Sequence, residues 1–299
     1  MSDGYSLPVM NNQKPQRRLP TWLRRPMPSR GMVDTRKLLN GLRLHTVCAE
    51  AKCPNLTECW GRGTATFMIL GDLCTRRCGF CAVTTRKPMP PEADEPQRLA
   101  EAAARLNLRH VVITSVTRDD LPDEGAEQFA RCILAIRKNL PQATVEVLTP
   151  DFHARRELIR IVCDARPEVF NHNLETVERL QKQIRPGARY ERSLDVLRQI
   201  RSIDSAIKTK SGLMVGLGET MEELAVALRD LHDAGCQLLT IGQYLRPGAE
   251  QVPVQKFYPP SEFENLAEMA KEIGFQGVAS GPFVRSSYFA ETMYGESNP

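Results

Sequence analysis

Six short apolar or β-branched runs, separated by stretches with helical spacing, constrain the fold of this chain most. The runs span residues 66–70, 111–116, 145–149, 169–174, 212–217 and 238–245. Between them, leucine, isoleucine and alanine recur three or four residues apart, as on one face of an α-helix. This alternation predicts βαβ units around a parallel sheet. The pattern alone is compatible with both a doubly wound sheet and an open barrel.

The bulk composition is that of a soluble globular protein. Hydrophobic residues make up 41% and charged residues 25% of the 299 residues. No apolar run is long enough to span a membrane, and residues 1–20 lack the apolar core of a signal peptide. We therefore expect a cytoplasmic protein. The net charge of +4 does not indicate nucleic acid, although it is compatible with a local basic surface for an acidic protein partner.

The nine cysteines are clustered, with six of them between Cys48 and Cys81. Disulfides are not expected in a reducing cytoplasm, so metal binding or catalysis is the leading interpretation. Cys132, Cys163 and Cys236 lie apart, on or beside apolar helical stretches. These three are predicted to be core residues.

One cysteine triplet directly follows the first predicted strand. Cys74, Cys78 and Cys81 are separated by three and then two residues. Three thiolates on a tight loop can hold three irons of a four-iron cubane and leave the fourth iron open to a cofactor. A zinc knuckle or buried core cysteines are the alternatives, but zinc needs a fourth ligand and no histidine lies within this loop.

This spacing, with Phe80 just before the last cysteine, resembles the radical S-adenosylmethionine (SAM) signature. The resemblance implies that SAM binds the open iron and is cleaved by an electron to give a 5′-deoxyadenosyl radical. The position also fits, because barrel enzymes carry their chemistry on loops at the C-terminal ends of strands.

A second triplet, Cys48, Cys53 and Cys59, is separated by four and five residues. Alone it would fit a zinc or core role equally well. Residues 46–83 as a whole, however, resemble the lipoyl synthase family, and the resemblance extends from about residue 33 to about residue 290. It is carried further by Thr-Ser-Val-Thr-Arg-Asp-Asp-Leu at 114–121, Asn-His-Asn-Leu-Glu-Thr at 171–176, Tyr-Glu-Arg-Ser-Leu at 190–194, Lys-Ser-Gly-Leu-Met-Val-Gly-Leu-Gly-Glu at 210–219, Thr-Ile-Gly-Gln-Tyr-Leu-Arg-Pro at 240–247 and Gly-Pro-Phe-Val-Arg-Ser-Ser-Tyr at 281–288.

The resemblance implies an α/β fold, a partial (β/α)6 TIM-like barrel with N- and C-terminal extensions carrying an auxiliary cluster. We expect four parts: a basic, Pro-rich arm at residues 1–31, an irregular N-terminal cap with the auxiliary-cluster cysteines at 32–63, the radical SAM partial barrel at 64–275 and a C-terminal extension with Arg-Ser-Ser-Tyr at 276–299.

Two 4Fe-4S clusters and SAM are the cofactors that the resemblance implies. The triplet Cys74, Cys78 and Cys81 would hold the radical SAM cluster, and Cys48, Cys53 and Cys59 the auxiliary cluster. The fourth auxiliary ligand would be a serine of the Arg-Ser-Ser-Tyr motif, Ser287 or Ser286, with Ser287 favoured. A hard oxygen ligand is poorly matched to iron–sulfur bonding, so it should leave more easily than a thiolate.

Eight further side chains are predicted to contact the cofactor: Phe80, Ser115, Asn171, Asn173, Glu175, Lys210, Glu219 and Gln243. Alternate residues at a strand end share a face, so the two asparagines and Glu175 should line the cavity rather than a solvated turn. Lys210 and Glu219 flank a glycine-rich segment where backbone can approach a cofactor. His172 should face the barrel wall, and His110 and His232 should be ordinary helix or loop residues.

The implied activity is the insertion of two sulfur atoms at C6 and C8 of a protein-bound N6-octanoyl-lysine, with the auxiliary cluster as sulfur donor. Implied partners are octanoylated lipoyl-carrier domains (2-oxoacid dehydrogenase E2 or glycine cleavage H protein) and an electron donor such as ferredoxin or flavodoxin, without nucleic acid or membrane. An electron-transfer or sensory iron–sulfur protein would instead show no SAM cleavage. A methylthiotransferase would normally show an added nucleic-acid-binding domain.

The arm contains two pairs of arginines, Arg17-Arg18 and Arg24-Arg25, on either side of Trp22-Leu23. We expect the arginines to help hold an acidic lipoyl domain, and Trp22-Leu23 to be a docking point. Surface ion pairs are individually weak, so a spectator arm is an equal alternative.

Overall fold

The structure is a computed structural model that describes residues 19–23 and 31–297. The strands are β1 (His45–Thr46), β2 (Thr66–Ile69), β3 (Leu73–Cys74), β4 (Thr84–Thr85), β5 (His110–Ser115), β6 (Thr144–Leu148), β7 (Val169–Asn171), β8 (Lys208–Val215), β9 (Leu238–Gln243) and β10 (Gly277–Gly281). The helices are α1 (Gly31–Gly41), α2 (Val47–Glu50), α3 (Leu56–Gly61), α4 (Glu95–Arg105), α5 (Ala126–Asn139), α6 (Arg156–Asp164), α7 (Glu178–Ile184), α8 (Tyr190–Ile203), α9 (Met221–Asp233), α10 (Pro260–Ile273) and α11 (Ala290–Glu296).

The main sheet has eight strands in the order β1-β2-β5-β6-β7-β8-β9-β10. All neighbours from β2 to β10 are parallel, and only β1 pairs antiparallel with β2. Helices connect each parallel strand to the next, which gives six βα units from β2 to α10. The order is linear, with β1 and β10 at its two ends, so the barrel is open. The predicted partial barrel is confirmed.

Two features of the sheet and the cap differ from the expectations. Strand β10 lies inside the predicted C-terminal extension and adds a seventh parallel strand beside β9. Its sequence, Gly-Val-Ala-Ser-Gly, has too few large apolar side chains to mark it as a strand. The cap, predicted to be irregular, contains most of α1 and all of α2 and α3; α2 and α3, with four and six residues, are too short to show helical spacing.

Apolar side chains between the sheet and the helices form the core. All four residues of β2 are buried, as expected for a parallel strand that is covered on both faces. The predicted core cysteines Cys132, Cys163 and Cys236 are 0%, 1% and 3% exposed, which confirms that prediction. Among the described residues, no helix combines the length and apolar character needed to cross a bilayer.

A sharp turn after β2 directs the chain into the first cysteine loop. Leu70 and Gly71 both have positive φ, 68° and 88°. The strained leucine is held by its neighbours, because the buried carboxylate of Glu95 accepts a hydrogen bond from its backbone N–H at 3.1 Å. Arg118 donates to the Leu70 carbonyl at 3.4 Å. The loop therefore starts from a fixed point at the C-terminal end of the strand.

The C-terminal segment crosses the open side of the barrel. A Cβ at Gly242 would lie 2.1 Å from the Val284 carbonyl oxygen, so the segment can pass over β9 only where a side chain is missing. Beyond it, Glu291 of α11 pairs with Arg109 at 2.9 Å, and Tyr294 stacks on His110 at a centroid distance of 6.0 Å. His110 is thus a buried residue of β5, and its prediction as a helix or loop histidine is wrong.

Candidate functional site

The loop that contains Cys74, Cys78 and Cys81 is tied to the barrel along its length. Strands β3 and β4 form a short parallel ribbon that brings the two ends of the loop together. Gly79 donates from its backbone N–H to the Ile184 carbonyl at 2.8 Å. The Gln251 side chain donates to the Cys81 carbonyl at 3.2 Å. The three cysteines are therefore held in one small region at the end of β2.

Arg76, between the first two cysteines of this loop, is the centre of a buried ion-pair network. Its guanidinium donates to both carboxylate oxygens of Asp119 at 2.7 and 2.9 Å, and lies 2.9 Å from Asp151. Arg192 pairs with the other oxygen of Asp151 at 3.1 Å. The Arg76 side chain is 9% exposed and that of Asp151 is fully buried. This network joins the loop to the segments that follow β5 and β6.

The sulfur atoms of the loop suit metal ligation. Cys74 Sγ accepts the backbone N–H groups of Arg76 and Thr117, each at 3.4 Å, and such bonds also tune iron–sulfur clusters. Burial raises the pKa of Cys78 to about 12, although the nearby Arg185 guanidinium opposes this rise. Burial likewise raises the pKa of Cys81 to about 11. These thiols keep their protons at neutral pH unless a metal displaces them, which is the usual behaviour of a buried thiolate site.

The second triplet is formed by the cap and lies against the C-terminal segment. Cys48 lies in α2, Cys59 in α3, and Cys53 between these helices. Asn55 donates to the Phe283 carbonyl at 2.7 Å, which joins the cap to the C-terminal segment. All three cysteines and Ser287 line a cleft of about 310 Å³, hereafter the outer cleft.

The two candidate serines occupy different places. Ser287 lines the outer cleft together with the triplet, and its hydroxyl accepts a hydrogen bond from Thr66 at 2.7 Å. Ser286 does not line the outer cleft, and its hydroxyl accepts a hydrogen bond from Asn173 at 2.7 Å. Ser287 therefore shares one cleft with all three cysteines, whereas Ser286 lies with Cys48 and Cys53 along the cavity inside the barrel.

The surroundings of Cys48 also fit a metal ligand. Burial, and the nearby Cys53, raise its pKa to about 11, whereas Thr66 and the Trp60 indole act in the opposite direction. The indole nitrogen is buried and makes no hydrogen bond to the described residues within normal distance criteria. A cluster sulfur at this place would give that N–H an acceptor. Three thiols with a serine hydroxyl thus form a donor set that an iron–sulfur cluster can use.

Both triplets border a second cavity, hereafter the inner cavity, of about 290 Å³ inside the C-terminal end of the barrel. Cys81 and Phe80 line it from the first loop, and Cys48 and Cys53 line it from the cap. Of the other predicted cofactor contacts, Asn173 and Glu175 have side chains that face this space. The inner cavity therefore connects the two candidate cluster sites.

Asn173 and Glu175 form a polar wall of the inner cavity. Asn173 donates to Glu175 at 3.0 Å, while its own carbonyl oxygen has no partner among the described residues. Burial raises the pKa of Glu175, and Arg185 opposes this rise. A Cβ at Gly212 would lie 2.9 Å from that orphan oxygen and 2.7 Å from Thr240, so this glycine keeps the space beside it open. The wall offers unpaired hydrogen-bonding capacity to a polar ligand.

Other predicted contacts are engaged elsewhere. Lys210 forms a buried ion pair with Glu146 at 2.8 Å, and Asn171 donates to the same carboxylate at 3.4 Å; neither lines the inner cavity. Glu219 accepts the backbone N–H groups of Gly216 and Leu217 at 2.6 and 2.9 Å, which holds the turn after β8. The hydrogen bonds of these side chains therefore stabilise the strands and turn of the barrel and are not directed into the inner cavity.

Gln243 and Ser115 stand at the margins of the site. Gln243 borders the inner cavity but is fully buried, and its side-chain amide bonds only to backbone groups, including Lys256 and Tyr258 at 2.9 and 2.8 Å. Ser115 ends β5 and does not line the inner cavity; its buried hydroxyl makes no hydrogen bond within the described residues. His172 points outward to Thr149 and Ser193, which confirms that it faces the barrel wall.

Several residues of the site carry no signal in the sequence. Thr66, the partner of Ser287, is one β-branched residue within an ordinary strand. The partners of Arg76 come from two other loops, and Asp119 belongs to a motif that the resemblance marks without assigning it a role. A cation such as Arg185 beside Cys78 is visible only when the chain is folded.

Comparison with known proteins finds relatives that match nearly the whole length of this chain. A family model described as the radical SAM superfamily matches residues 68–231. The lipoyl synthase of Rubrobacter xylanophilus is 53% identical, over 91% of this chain and 85% of that protein. The lipoyl synthase of Methylococcus capsulatus is 54% identical, over 92% of this chain and 86% of that protein.

Solved structures share the fold at low identity. The [FeFe]-hydrogenase maturase HydG has a TM-score of 0.55 at 13% identity, covering 71% of this chain and 50% of its own. Streptococcus suis SuiB bound to S-adenosylmethionine has a TM-score of 0.53 at 13% identity, covering 73% and 50%. Escherichia coli HemN, a radical SAM coproporphyrinogen III oxidase, has a TM-score of 0.52 at 14% identity, covering 69% and 52%. These matches show the barrel fold alone.

Proposed function

Because this chain belongs to the lipoyl synthase family of the radical SAM superfamily, we propose that its two cysteine triplets hold two 4Fe-4S clusters that act on one substrate. The chain is a radical SAM sulfur-inserting enzyme that makes the lipoyl group. The observation that carries the proposal is the shared inner cavity, bordered by Cys81 on one side and by Cys48 and Cys53 on the other.

Cys74, Cys78 and Cys81 are the proposed ligands of the radical SAM cluster. When bound, SAM and the two clusters supply a 5′-deoxyadenosyl radical and the sulfur. The chain itself excludes water and orients the reactants: Phe80 borders the inner cavity beside Cys81, and Asn173 and Glu175 offer hydrogen bonds across it. Burial raises the pKa of Glu175, so its carboxyl group ionises less readily here than it does in water.

Most of the remaining predicted contacts are assigned indirect roles. Lys210, Asn171, Glu219 and Gln243 would hold the strands and the turn on which the cavity is built, since their hydrogen bonds go to protein groups. Ser115 remains a proposed cofactor contact, supported by its position at the end of β5, two residues before Thr117, whose backbone N–H bonds Cys74 Sγ.

Cys48, Cys53, Cys59 and Ser287 are the proposed ligands of the auxiliary cluster. Ser287 is preferred to Ser286 because it alone shares the outer cleft with the triplet. An oxygen ligand is a weaker partner for an iron–sulfur cluster than a thiolate, which suits a cluster that gives up sulfur. The auxiliary cluster is therefore the proposed sulfur donor.

A labelling experiment tests the sulfur source. The protein would be rebuilt anaerobically with heavy-isotope sulfide and given SAM, dithionite and an octanoylated lipoyl-domain peptide in a single turnover. Both sulfurs of the product should be heavy, with at most one lipoyl group per protein. Light sulfur drawn from added free sulfide or cysteine in this turnover would contradict the assignment.

An iron count tests the cofactors independently of catalysis. Two four-iron clusters require about eight irons per protein after anaerobic reconstitution. Mössbauer spectra and iron analysis would measure them. About four irons, or one zinc, would rule out the two-cluster proposal.

Octanoylated lipoyl-carrier domains are the proposed partners, with a ferredoxin or flavodoxin as reductant. Exposed Lys52 and Arg246 border the inner cavity and give its rim a positive charge that suits an acidic domain. The arm arginines Arg17, Arg18, Arg24 and Arg25 lie outside the described residues. At Trp22-Leu23, Trp22 is 40% exposed, whereas Leu23 is buried.

Deleting residues 1–26 tests the arm. If the arm helps to hold the carrier, the KM for a whole lipoyl domain should rise more than the KM for a short octanoyl peptide. Surface pairs contribute only about 0.2–1 kcal/mol each, so a change of a few-fold is expected. Equal changes for the two substrates would assign the arm no docking role.

The cytoplasm is the proposed compartment. None of the nine cysteines forms a disulfide, as is usual in a reducing compartment.

A further inference from the structure

The auxiliary-cluster site has two sides, and only one of them faces the reaction. Cys48, Cys53 and Ser287 line both the inner cavity and the outer cleft, whereas Cys59 lines the outer cleft alone. The inner cavity and the outer cleft therefore meet at the proposed ligands. Away from these ligands, the two are lined by different residues.

The outer cleft opens onto the surface of the protein. Its deep walls are buried residues of the barrel, such as Leu108 and Val112, which are 8% and 7% exposed. Its mouth is formed by exposed residues of the turn after α3 and of the C-terminal segment: Arg62, Thr64, Phe289 and Thr292. A volume of about 310 Å³ is far above the ~10–15 Å³ that one water needs, so the cleft has room for water and small ions.

The mouth carries both signs of charge and an exposed aromatic side chain. Arg62 pairs with Glu58 at 3.0 Å and lies over the Phe289 ring at 4.9 Å. Tyr288 packs edge-on against Phe289 at 4.4 Å and donates to Glu58 at 3.1 Å. Phe289 is 48% exposed, so its ring lines the cleft at the protein surface and outside the core.

We propose that the outer cleft is the route by which iron and sulfide enter and leave the auxiliary-cluster site, with Phe289 and Thr292 at its entrance. The inference rests on the proposed function, since it requires a cluster on Cys48, Cys53 and Cys59. The inner cavity is the less suitable route, because bound SAM and the octanoyl chain would fill it. An exit on the opposite side lets iron depart, and new iron and sulfide arrive, without passing the reaction space.

The test uses full-length protein with Cys74→Ala, Cys78→Ala and Cys81→Ala, so that only the second triplet can hold a cluster. Ferrous iron and sulfide serve as the loading probe, and bathophenanthroline disulfonate takes up iron during unloading. Absorbance of the cluster and of the iron chelate gives both rates without any enzyme assay. Thr292→Trp, which narrows the mouth, should slow both rates several-fold, and Phe289→Ala, which widens it, should accelerate them.

Leu245→Trp is the matched control, because Leu245 lines the inner cavity and not the outer cleft. It should slow both rates less than Thr292→Trp does, since the inner cavity is open in this test, which contains neither SAM nor the octanoyl chain. Three results would overturn the proposed route. Leu245→Trp could slow exchange more than Thr292→Trp does, or the two variants could slow it equally. Alternatively, Thr292→Trp and Phe289→Ala could have no effect. Failure of the parent triple variant to take up iron at all would instead reject the auxiliary cluster, and with it the premise.

Discussion

The two cysteine triplets differ in how their surroundings are gathered. The first lies on one loop, whose fixed geometry comes from nearby β3 and β4 and from the Arg76 network. The second lies on the cap, but its serine arrives from the other end of the chain: the bonds Thr66–Ser287, Asn55–Phe283 and Tyr288–Glu58 join residues 221, 228 and 230 positions apart.

This difference teaches that the two sites should be separable. Three proposed ligands on a short loop need little loop closure, whereas the proposed fourth ligand of the second site, Ser287, is in place only after the C-terminal segment has folded across the barrel. Changes in the C-terminal segment should therefore impair one site and spare the other.

The largest expected effects come from removing single cysteines. Cys78→Ala should abolish reductive cleavage of SAM, because the open-iron cluster would be lost. Cys53→Ala should still release 5′-deoxyadenosine but make no lipoyl product. Chromatography of 5′-deoxyadenosine and mass spectrometry of the peptide would measure both, and the reverse pattern would exchange the two assignments.

The serines sharpen the comparison at the second site. Ser287→Ala should lower product formation by about 100-fold or more, since even partners of metal ligands change function by 10–100-fold. Cleavage of SAM should persist. Ser286→Ala is the matched control, because this serine accepts a hydrogen bond from Asn173 but does not line the outer cleft. A larger loss in Ser286→Ala than in Ser287→Ala would move the ligand to Ser286.

Arg76 offers the corresponding test at the first site. Removing one partner of a buried ion pair costs about 3–5 kcal/mol, so Arg76→Ala should destabilise the loop and lower the rate of SAM cleavage. Arg76→Lys should recover only part of it, since lysine lacks the fork that contacts both oxygens of Asp119. The second cluster, followed by Mössbauer spectroscopy, should be unaffected.

Arg109→Ala is the control for that experiment, because the Arg109–Glu291 pair is exposed, at 83% and 51%. An exposed pair contributes about 0–1 kcal/mol, so cleavage of SAM should hardly change. If Arg76→Ala behaved like Arg109→Ala, the network would have no role in placing the loop.

A smaller effect concerns stability in the barrel wall, outside both sites. Burial, with Arg185 nearby, lowers the pKa of His172 to about 4. The unfolded residue titrates near ~6.5, so the unfolded chain binds the proton first as the pH falls. Stability from the neutral ring is therefore complete above about pH 6.5 and is lost towards pH 4, by up to ~3 kcal/mol.

Urea unfolding of the reduced apo-protein across this pH range would measure the effect. His172→Gln should flatten the slope, while His232→Gln, on the half-exposed surface of α9, should leave it as in the parent. An unchanged slope in His172→Gln would assign the pH dependence to other groups.

The smallest expected effect comes from removing the hydroxyl of Thr66, which supports Ser287, and is compared with removing the hydroxyl of Thr114 in the barrel. Thr66→Val removes the donor to Ser287 and should cost about 1 kcal/mol, with a modest loss of lipoyl product and normal cleavage of SAM. Thr114→Val removes a similar bond to the Leu148 carbonyl on the neighbouring strand. It should cost as much stability without selective loss of product. Equal product loss in both would mean that Thr66 acts only through stability.

Much of the fold could be predicted because its signals are local. Six strands and their helices follow from short apolar runs and helical spacing, and the first cysteine loop follows from three residues within one segment. Strand β10 was not predicted because Gly277 and Gly281 flank three residues with few large apolar side chains. Its pairing with β9 is formed by backbone groups and leaves no side-chain pattern in the sequence. The cap helices escaped because α2 and α3 are too short to show a period.

The sequence by itself determined the alternating strands and helices, the two triplets and the polar pair Asn173 and Glu175, since each rests on spacing within one segment, whereas the barrel was implied by the family resemblance. The tertiary structure decided what the remaining polar groups do. It paired Lys210 with Glu146 and Gln243 with backbone groups, and it left Ser287 lining the outer cleft with the second triplet while Ser286 lines only the inner cavity. The physical reason is that burial and hydrogen-bond partners depend on segments far apart in the chain, and no local pattern records which of two adjacent serines faces a cleft formed at the opposite end of the sequence.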